Sequence, residues 1–288
     1  MSAGDAAPDL SGLPPLREAL AAHGLSADKR FGQHFLLDLN LTAKIARLAA
    51  PLDGRAVLEV GPGPGGLTRA LIAAGARVVA VEKDRRFLPL LQELAAAAAG
   101  RLQVVEDDAL RVDEAALLHA HAPGQAGLVV SNLPYNVGTP LLVKWLTGGW
   151  TPQAMVLMFQ KEVADRIVAT AGSDAYGRLS VLAQTLAEAS TEMTLSARAF
   201  TPPPKVDSAV VRLIPYADRP SPERIAALER VTAAAFGQRR KMLRSSLKPL
   251  GGEALCAAVG VDPQARAERL TPADFLTLAD RLLTPAST

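Results

Sequence analysis

The pattern of apolar and polar positions divides the chain into two regimes. From residue 38 to about residue 170, short β-branched runs alternate with longer stretches at helical spacing. Residues 56–60, 77–82, 102–106, 128–131 and 154–159 read as strands; residues 38–50, 65–74, 85–99, 140–146 and 161–169 read as helices. Asp38 can cap the first helix, which places Leu41, Ile45, Leu48 and Ala49 on one face. Strands and helices alternating at this spacing predict an α/β fold, a parallel doubly wound sheet.

After about Gly172 the pattern changes. Residues 192–199 and 206–214 are β-like with no clear helix between them, and Pro202-Pro203-Pro204 joins them, which predicts an antiparallel edge pair. Ser221-Pro222, Asp262-Pro263 and Thr271-Pro272 are cap-plus-proline signals that predict three helices. The expected organisation is a flexible N-terminal lead-in over 1–27, an α/β domain over 28–217 and a small helical domain over 218–288.

Composition narrows the class. Of the 288 residues, 49% are hydrophobic and 21% charged, enough for a sizeable core. No apolar run approaches the roughly 18 residues of a membrane span. Residues 1–15 are small, acidic and proline-bearing, without the basic and apolar regions of a signal peptide. The single cysteine, Cys256, excludes an internal disulfide and lies in an apolar helical stretch, where a buried thiol is expected. The four histidines (His23, His34, His119 and His121) do not cluster with acids, so no metal is expected. These features point to a cytoplasmic protein. The net charge of +2 hides an asymmetry: residues 201–288 carry 13 basic and 9 acidic side chains, residues 1–200 carry 18 and 20. The basic excess of the C-terminal part suits a polyanion.

Two motifs carry chemistry. Gly61-Pro62-Gly63-Pro64-Gly65-Gly66 follows the first strand and opens a helix, where glycines admit a ligand to the backbone and free N–H groups face it. Glu82 closes the second strand, where an acid can accept hydrogen bonds from a ribose diol. Nicotinamide dehydrogenases and S-adenosylmethionine methyltransferases share that geometry. Glu59, in the pattern Glu-x-Gly-x-Gly, and Asp107-Asp108-Ala109 after the third strand favour the methyl donor, with Asp108 suited to an adenine amine. The second motif is Asn132-Leu133-Pro134-Tyr135 at the end of a strand. It joins an amide acceptor, a backbone carbonyl and a flat aromatic face, a set that suits a planar base with an exocyclic amine.

These residues bring a family into view. The chain resembles the small-subunit (16S) ribosomal RNA adenine N6,N6-dimethyltransferases, the KsgA or RsmA type, over about residues 28–285. The matching segments are 29–36, 59–63, 132–136, 159–164, 200–208 and 236–241, in that order. The resemblance implies a Rossmann-like class I methyltransferase domain with a small C-terminal helical domain, and S-adenosylmethionine as cofactor. It implies that His34, Leu36, Gly61, Gly63, Glu82, Lys83, Asp108, Ala109 and Asn132 hold that cofactor; His34 departs from the family's asparagine. Asn132, Leu133, Pro134 and Tyr135 then form the catalytic turn, with Phe200 as the second aromatic wall for the flipped base. The basic residues Arg239, Arg240, Lys241, Arg244 and Lys248 are expected to bind RNA, with Arg240, Arg244 and Lys248 on one helix face. The implied partner is 16S rRNA within the immature small subunit, bound by a monomer. A large-subunit rRNA adenine methyltransferase and an assembly factor acting mainly by RNA binding stand as alternatives.

Overall fold

The computed structural model describes residues 8–28 and 32–284. Contacts divide the chain into two compact units: Met1–Ala164 with Thr191–Leu213, and Asp165–Ser190 with Ile214–Thr288.

The first unit begins with α1 (Leu16–Ala22), followed by β1 (Phe35–Leu36) and α2 (Leu39–Leu48). The alternation then runs β2 (Ala56–Val60), α3 (Gly66–Ala73), β3 (Arg77–Glu82), α4 (Leu88–Ala97), β4 (Leu102–Glu106), α5 (Glu114–His121), β5 (Leu128–Asn132), α6 (Gly138–Thr147) and β6 (Met155–Gln160). Helix α7 (Lys161–Val168) and α8 (Arg178–Leu186) lead into β7 (Ala187–Leu195); β8 (Phe200–Thr201) and β9 (Ser208–Pro215) follow.

Seven strands form one sheet in the order β4-β3-β2-β5-β6-β9-β7. The pairs β3–β4, β2–β3, β2–β5 and β5–β6 are parallel, and β9 returns antiparallel on β6. The strand order therefore reverses between β2 and β5, and the loops after both strands open at the carboxyl edge, where doubly wound sheets bind ligands. Strand β2 is buried along its whole length, as a central parallel strand covered on both faces must be. Helix α2 is capped as expected: Asp38 accepts from the N–H groups of Asn40 and Leu41 at its start. Strands β9 and β7 are neighbours at one end of the sheet, and the short β8 between them in the chain pairs instead with β1.

The second unit is helical. It contains α8, α9 (Pro222–Gly237), α10 (Leu243–Ser246), α11 (Gly252–Ala258) and α12 (Pro272–Leu283). Ser221 and Thr271 cap α9 and α12 with proline at the next position, as the sequence predicts. Tyr176 meets Phe236 edge-on with centroids 6.1 Å apart, and Phe236 lies tilted against Phe275 at 5.4 Å. Arg224 and Asp280 tie α9 to α12 through two bonds of 2.7 and 2.8 Å.

Three expectations need correction. Residues 16–22 are not part of a flexible lead-in: α1 buries Leu16, Ala19 and Leu20, and Arg69 Nη1 donates to Pro14 O at 2.8 Å. Residues 165–190 belong to the second unit, because α8 packs against α9 and α12. Asp262-Pro263 starts no α-helix: the Asp262 carboxylate accepts from Gln264 N at 2.9 Å in a tight turn, after which Arg266 bridges to Met242. The helix lies earlier, as α11, where Cys256 is fully buried.

Candidate active site

A cleft of about 240 Å³ opens at the carboxyl ends of the first unit's strands. It gathers the residues expected from the sequence. His34 and Leu36 come from the segment before α2, and Gly61 and Gly63 from the loop after β2. Glu82 and Lys83 follow β3, Asp108 and Ala109 follow β4, and Asn132 to Tyr135 follow β5. Lys29, Arg30 and Phe31, part of the motif that includes His34, lie outside the described residues.

The glycine loop is built for close approach. Gly61 and Gly63 have φ of 67° and 52°, values that L side chains avoid. A Cβ on Gly61 would stand 3.1 Å from the Pro134 ring, and one on Gly63 3.3 Å from the Phe35 ring. The loop is pinned to the acid of β3: Glu82 Oε2 accepts from Gly63 N at 3.1 Å and Oε1 from Asp84 N at 2.8 Å. Burial pushes the Glu82 carboxyl upward, partly offset by these bonds. Each oxygen keeps a lone pair for a further donor, such as a diol. At the next strand, Lys83 Nζ pairs with Asp108 Oδ2 at 2.9 Å and holds that carboxyl below its usual range.

The Asn132 turn is fixed from both sides. Ser131 is buried and its Oγ donates to Val60 O at 2.6 Å, which locks the end of β5 to β2. The Pro134 carbonyl accepts from Val137 N and Gly138 N, both at 3.1 Å, and turns the chain into α6. Asn132 Nδ2 donates to His34 O at 3.4 Å, which presents Oδ1 as the amide's acceptor. The Tyr135 hydroxyl bonds to Ser208 Oγ at 2.6 Å, and burial raises its pKa, so the phenol stays neutral. The His34 ring lies 5.4 Å from the Tyr135 ring at 32°, and its Nδ1–H donates to Pro202 O at 2.8 Å. His34 thus bonds Pro202 through its ring, while its backbone carbonyl orients Asn132.

Two expected placements differ. Phe200 is not among the residues lining the cleft: it pairs with Leu36 in the β1–β8 ladder, and its side chain is 3% exposed within the apolar core. A ring directly after the turn of Ser196–Ala199 is carried inward by the strand's alternation. The basic residues do not share a helix face, because α9 ends at Gly237 and Gln238 leaves helical geometry with φ −131° and ψ 63°. Arg239 is held inside its own unit by Asp174 O at 2.6 Å and Glu268 at 3.7 Å. Arg240 and Lys241 are exposed on the turn that follows, Arg244 on the one-turn helix α10 and Lys248 just beyond it.

Other residues gain a place in the site only in three dimensions. Glu59 lines the cleft, is 2% exposed, and has an Oε2 with no hydrogen-bond partner. Burial pushes its carboxyl up to about 8. Its place in Glu-x-Gly-x-Gly was the available signal. Asp84 gathers Arg86 and Gln33 around one carboxylate, with Gln33 Nε2 at 2.9 Å, and so ties the His34 segment to the Glu82 loop. An isolated antiparallel bridge joins Arg266 to Met242, the residue after Lys241. Among the described residues, no group of His, Cys, Asp or Glu is arranged to hold a metal, and no helix is long and apolar enough to cross a membrane.

The family described as ribosomal RNA adenine dimethylase matches residues 24–283. The chain is 68% identical over 95% of its length, and 94% of the relative's, to ribosomal RNA small subunit methyltransferase A of Phenylobacterium zucineum. It is 58% identical to the protein of the same name from Rhizobium meliloti, over 95% of this chain and 99% of that one. Among solved structures it is similar to a dimethyladenosine transferase from Plasmodium falciparum, with TM-score 0.68, 25% identity, and coverage of 85% of this chain and 96% of that one. It is also similar to the 23S rRNA methyltransferase ErmE, with TM-score 0.65, 28% identity, and coverage of 87% and 100%. A class I methyltransferase sheet, a glycine loop with its acids and an Asn-Leu-Pro-Tyr turn on one cleft agree with these likenesses, and the chain belongs to the ribosomal RNA adenine dimethylase family.

Proposed function

We propose that this protein transfers methyl groups from S-adenosylmethionine to N6 of two adjacent adenines in a hairpin loop near the 3′ end of small-subunit rRNA, and so contributes to subunit biogenesis. The observation that carries the reading is Asn132, oriented by His34 at the carboxyl end of β5 and facing the same cleft as the glycine loop. The names and 68% identity of the small-subunit relatives, against 28% for ErmE, favour the small subunit over the large.

The residues present fit the cofactor. Glu59 Oε2 is a buried acceptor without a partner, suited to the ammonium of the methionine moiety. Glu82 suits the ribose diol, and Asp108 with Ala109 the adenine edge. S-Adenosylmethionine, when bound, supplies an electrophilic sulfonium methyl.

The protein's part is to prepare the nucleophile. The lone pair of an adenine amine is delocalised into the ring. Asn132 Oδ1 and the Leu133 carbonyl accept its two N–H bonds and draw the nitrogen toward tetrahedral geometry, which localises the lone pair. Tyr135 offers its ring to the flipped base; with its hydroxyl tied to Ser208 and its pKa raised, it takes no proton. The proton leaves to water after transfer. Arg240, Lys241, Arg244 and Lys248 supply phosphate contacts from the second unit. The reading places the enzyme in the cytoplasm, where immature subunits are found. A monomer suffices, because one chain builds the cleft.

The test is Asn132→Ala. Methyl transfer to small-subunit rRNA is expected to fall by at least about 10²–10³-fold, while cofactor binding by calorimetry stays measurable. A fully active variant would sink the mechanism.

A further inference from the structure

Lys144 stands on α6, the helix that follows the Asn132 turn, and its ammonium is committed to one segment of chain. Nζ donates to Ala109 O at 3.0 Å and to Val112 O at 2.7 Å, and pairs with Glu114 Oε1 at 2.8 Å. An ammonium has three protons, so these acceptors use all of them. Glu114 is buried, and the same Oε1 accepts from Trp145 Nε1 at 2.7 Å, with Trp145 itself 1% exposed. All three acceptors of Lys144 lie in residues 109–114, the segment that runs from the cleft into the first turn of α5. The same loop carries Asp108, whose Oδ1 accepts from Leu110 N at 3.1 Å and whose carbonyl accepts from Arg111 N at 2.7 Å. A surface loop has many conformations to lose on ordering; one ammonium holding two of its carbonyls and the first carboxylate of the next helix removes most of them.

We infer that Lys144 is a positioning residue for the adenine end of the cofactor cleft. It fixes loop 107–112 so that Asp108 and Ala109 meet the purine edge, and it ties that loop to the helix that begins at the catalytic turn. This rests on the S-adenosylmethionine reading above. A partly buried ion pair with a purely structural role would change stability and affect every ligand of the cleft alike. A positioning role changes discrimination at the purine amine.

The experiment compares wild type, Lys144→Met and the double variant Lys144→Met/Glu114→Gln. Each is titrated calorimetrically with S-adenosylhomocysteine and with S-inosylhomocysteine, which lacks the exocyclic amine, and its melting temperature is recorded. Wild type is expected to prefer the adenosyl ligand. Lys144→Met is expected to bind that ligand about tenfold more weakly, the size of one lost hydrogen bond, and the inosyl ligand within about twofold of wild type. The double variant removes the stranded carboxylate, so its melting temperature recovers while discrimination does not. In turnover, KM for S-adenosylmethionine rises about tenfold at nearly constant kcat. Equal weakening of both ligands, or wild-type discrimination in the double variant, would overturn the inference. A wild-type protein that binds neither ligand would overturn the cofactor reading and the inference with it.

Discussion

Glu59 sits where burial and chemistry conflict. An acid inside a central strand loses hydration, and burial pushes its carboxyl from 4.5 up to about 8. In the ligand-free protein at neutral pH it holds a proton that the unfolded chain releases. That contribution to stability is whole below pH 4.5 and is lost as pH rises through about 8. The melting temperature of the ligand-free enzyme is therefore expected to fall across this window, and Glu59→Gln to flatten the fall; an unchanged slope in the variant would exclude Glu59 as its source. Pairing with a cationic amine reverses the preference, so cofactor binding at pH 7 releases close to one proton. Calorimetry in buffers of different ionisation enthalpy measures that release, and Glu59→Gln removes it. Phe200 presents the opposite case. Its ring is already inside the core, so Phe200→Ala is expected to cost about 3–5 kcal/mol of stability in chemical denaturation, a loss that a freely exposed stacking wall would not show.

At the scale of elements, legibility followed local signals. The strands of the parallel sheet, the Asp38, Ser221 and Thr271 caps, and the loops that bear the cleft were readable because each depends on a few adjacent residues. Helix α1 was not: its seven residues carry a proline at the cap and no capping side chain, and the burial of Leu16, Ala19 and Leu20, the last packed with Phe35, Phe87 and Leu91, shows why it forms. Leu20→Ala is expected to cost about 2–3 kcal/mol in denaturant unfolding; no change would mean that α1 contributes nothing to the fold. The basic segment was legible as charge but not as shape. Four-residue spacing suggested one stripe, whereas Gly237 ends α9 and the cations follow on turns. Their role does not need a helix. Charge reversal at Arg240 and Arg244 is expected to weaken small-subunit binding strongly and to lower its log–log salt slope by about two, with cofactor affinity unchanged. Binding that keeps its salt slope would remove these residues from the interface.

For the molecule as a whole, the sequence motifs pointed to the cleft because the doubly wound topology brings the ends of β2, β3, β4 and β5 to one edge. Side-chain directions were beyond that logic. Whether Phe200 faces the cleft, what satisfies Lys144, and which backbone oxygen orients Asn132 depend on contacts between residues far apart in the chain. The division into units was partly hidden for the same reason, since α8 joins the second unit through its packing against α9 and α12. The central claim is methylation of two adjacent adenines in small-subunit rRNA. Its most direct test incubates the purified protein and S-adenosylmethionine with unmethylated small and large ribosomal subunits and maps the products by mass spectrometry of nuclease fragments. N6,N6-dimethyladenosine is expected at two neighbouring positions near the 3′ end of the small-subunit rRNA, and none in the large subunit. Methylation confined to large-subunit rRNA, or no methyl transfer to either, would contradict it.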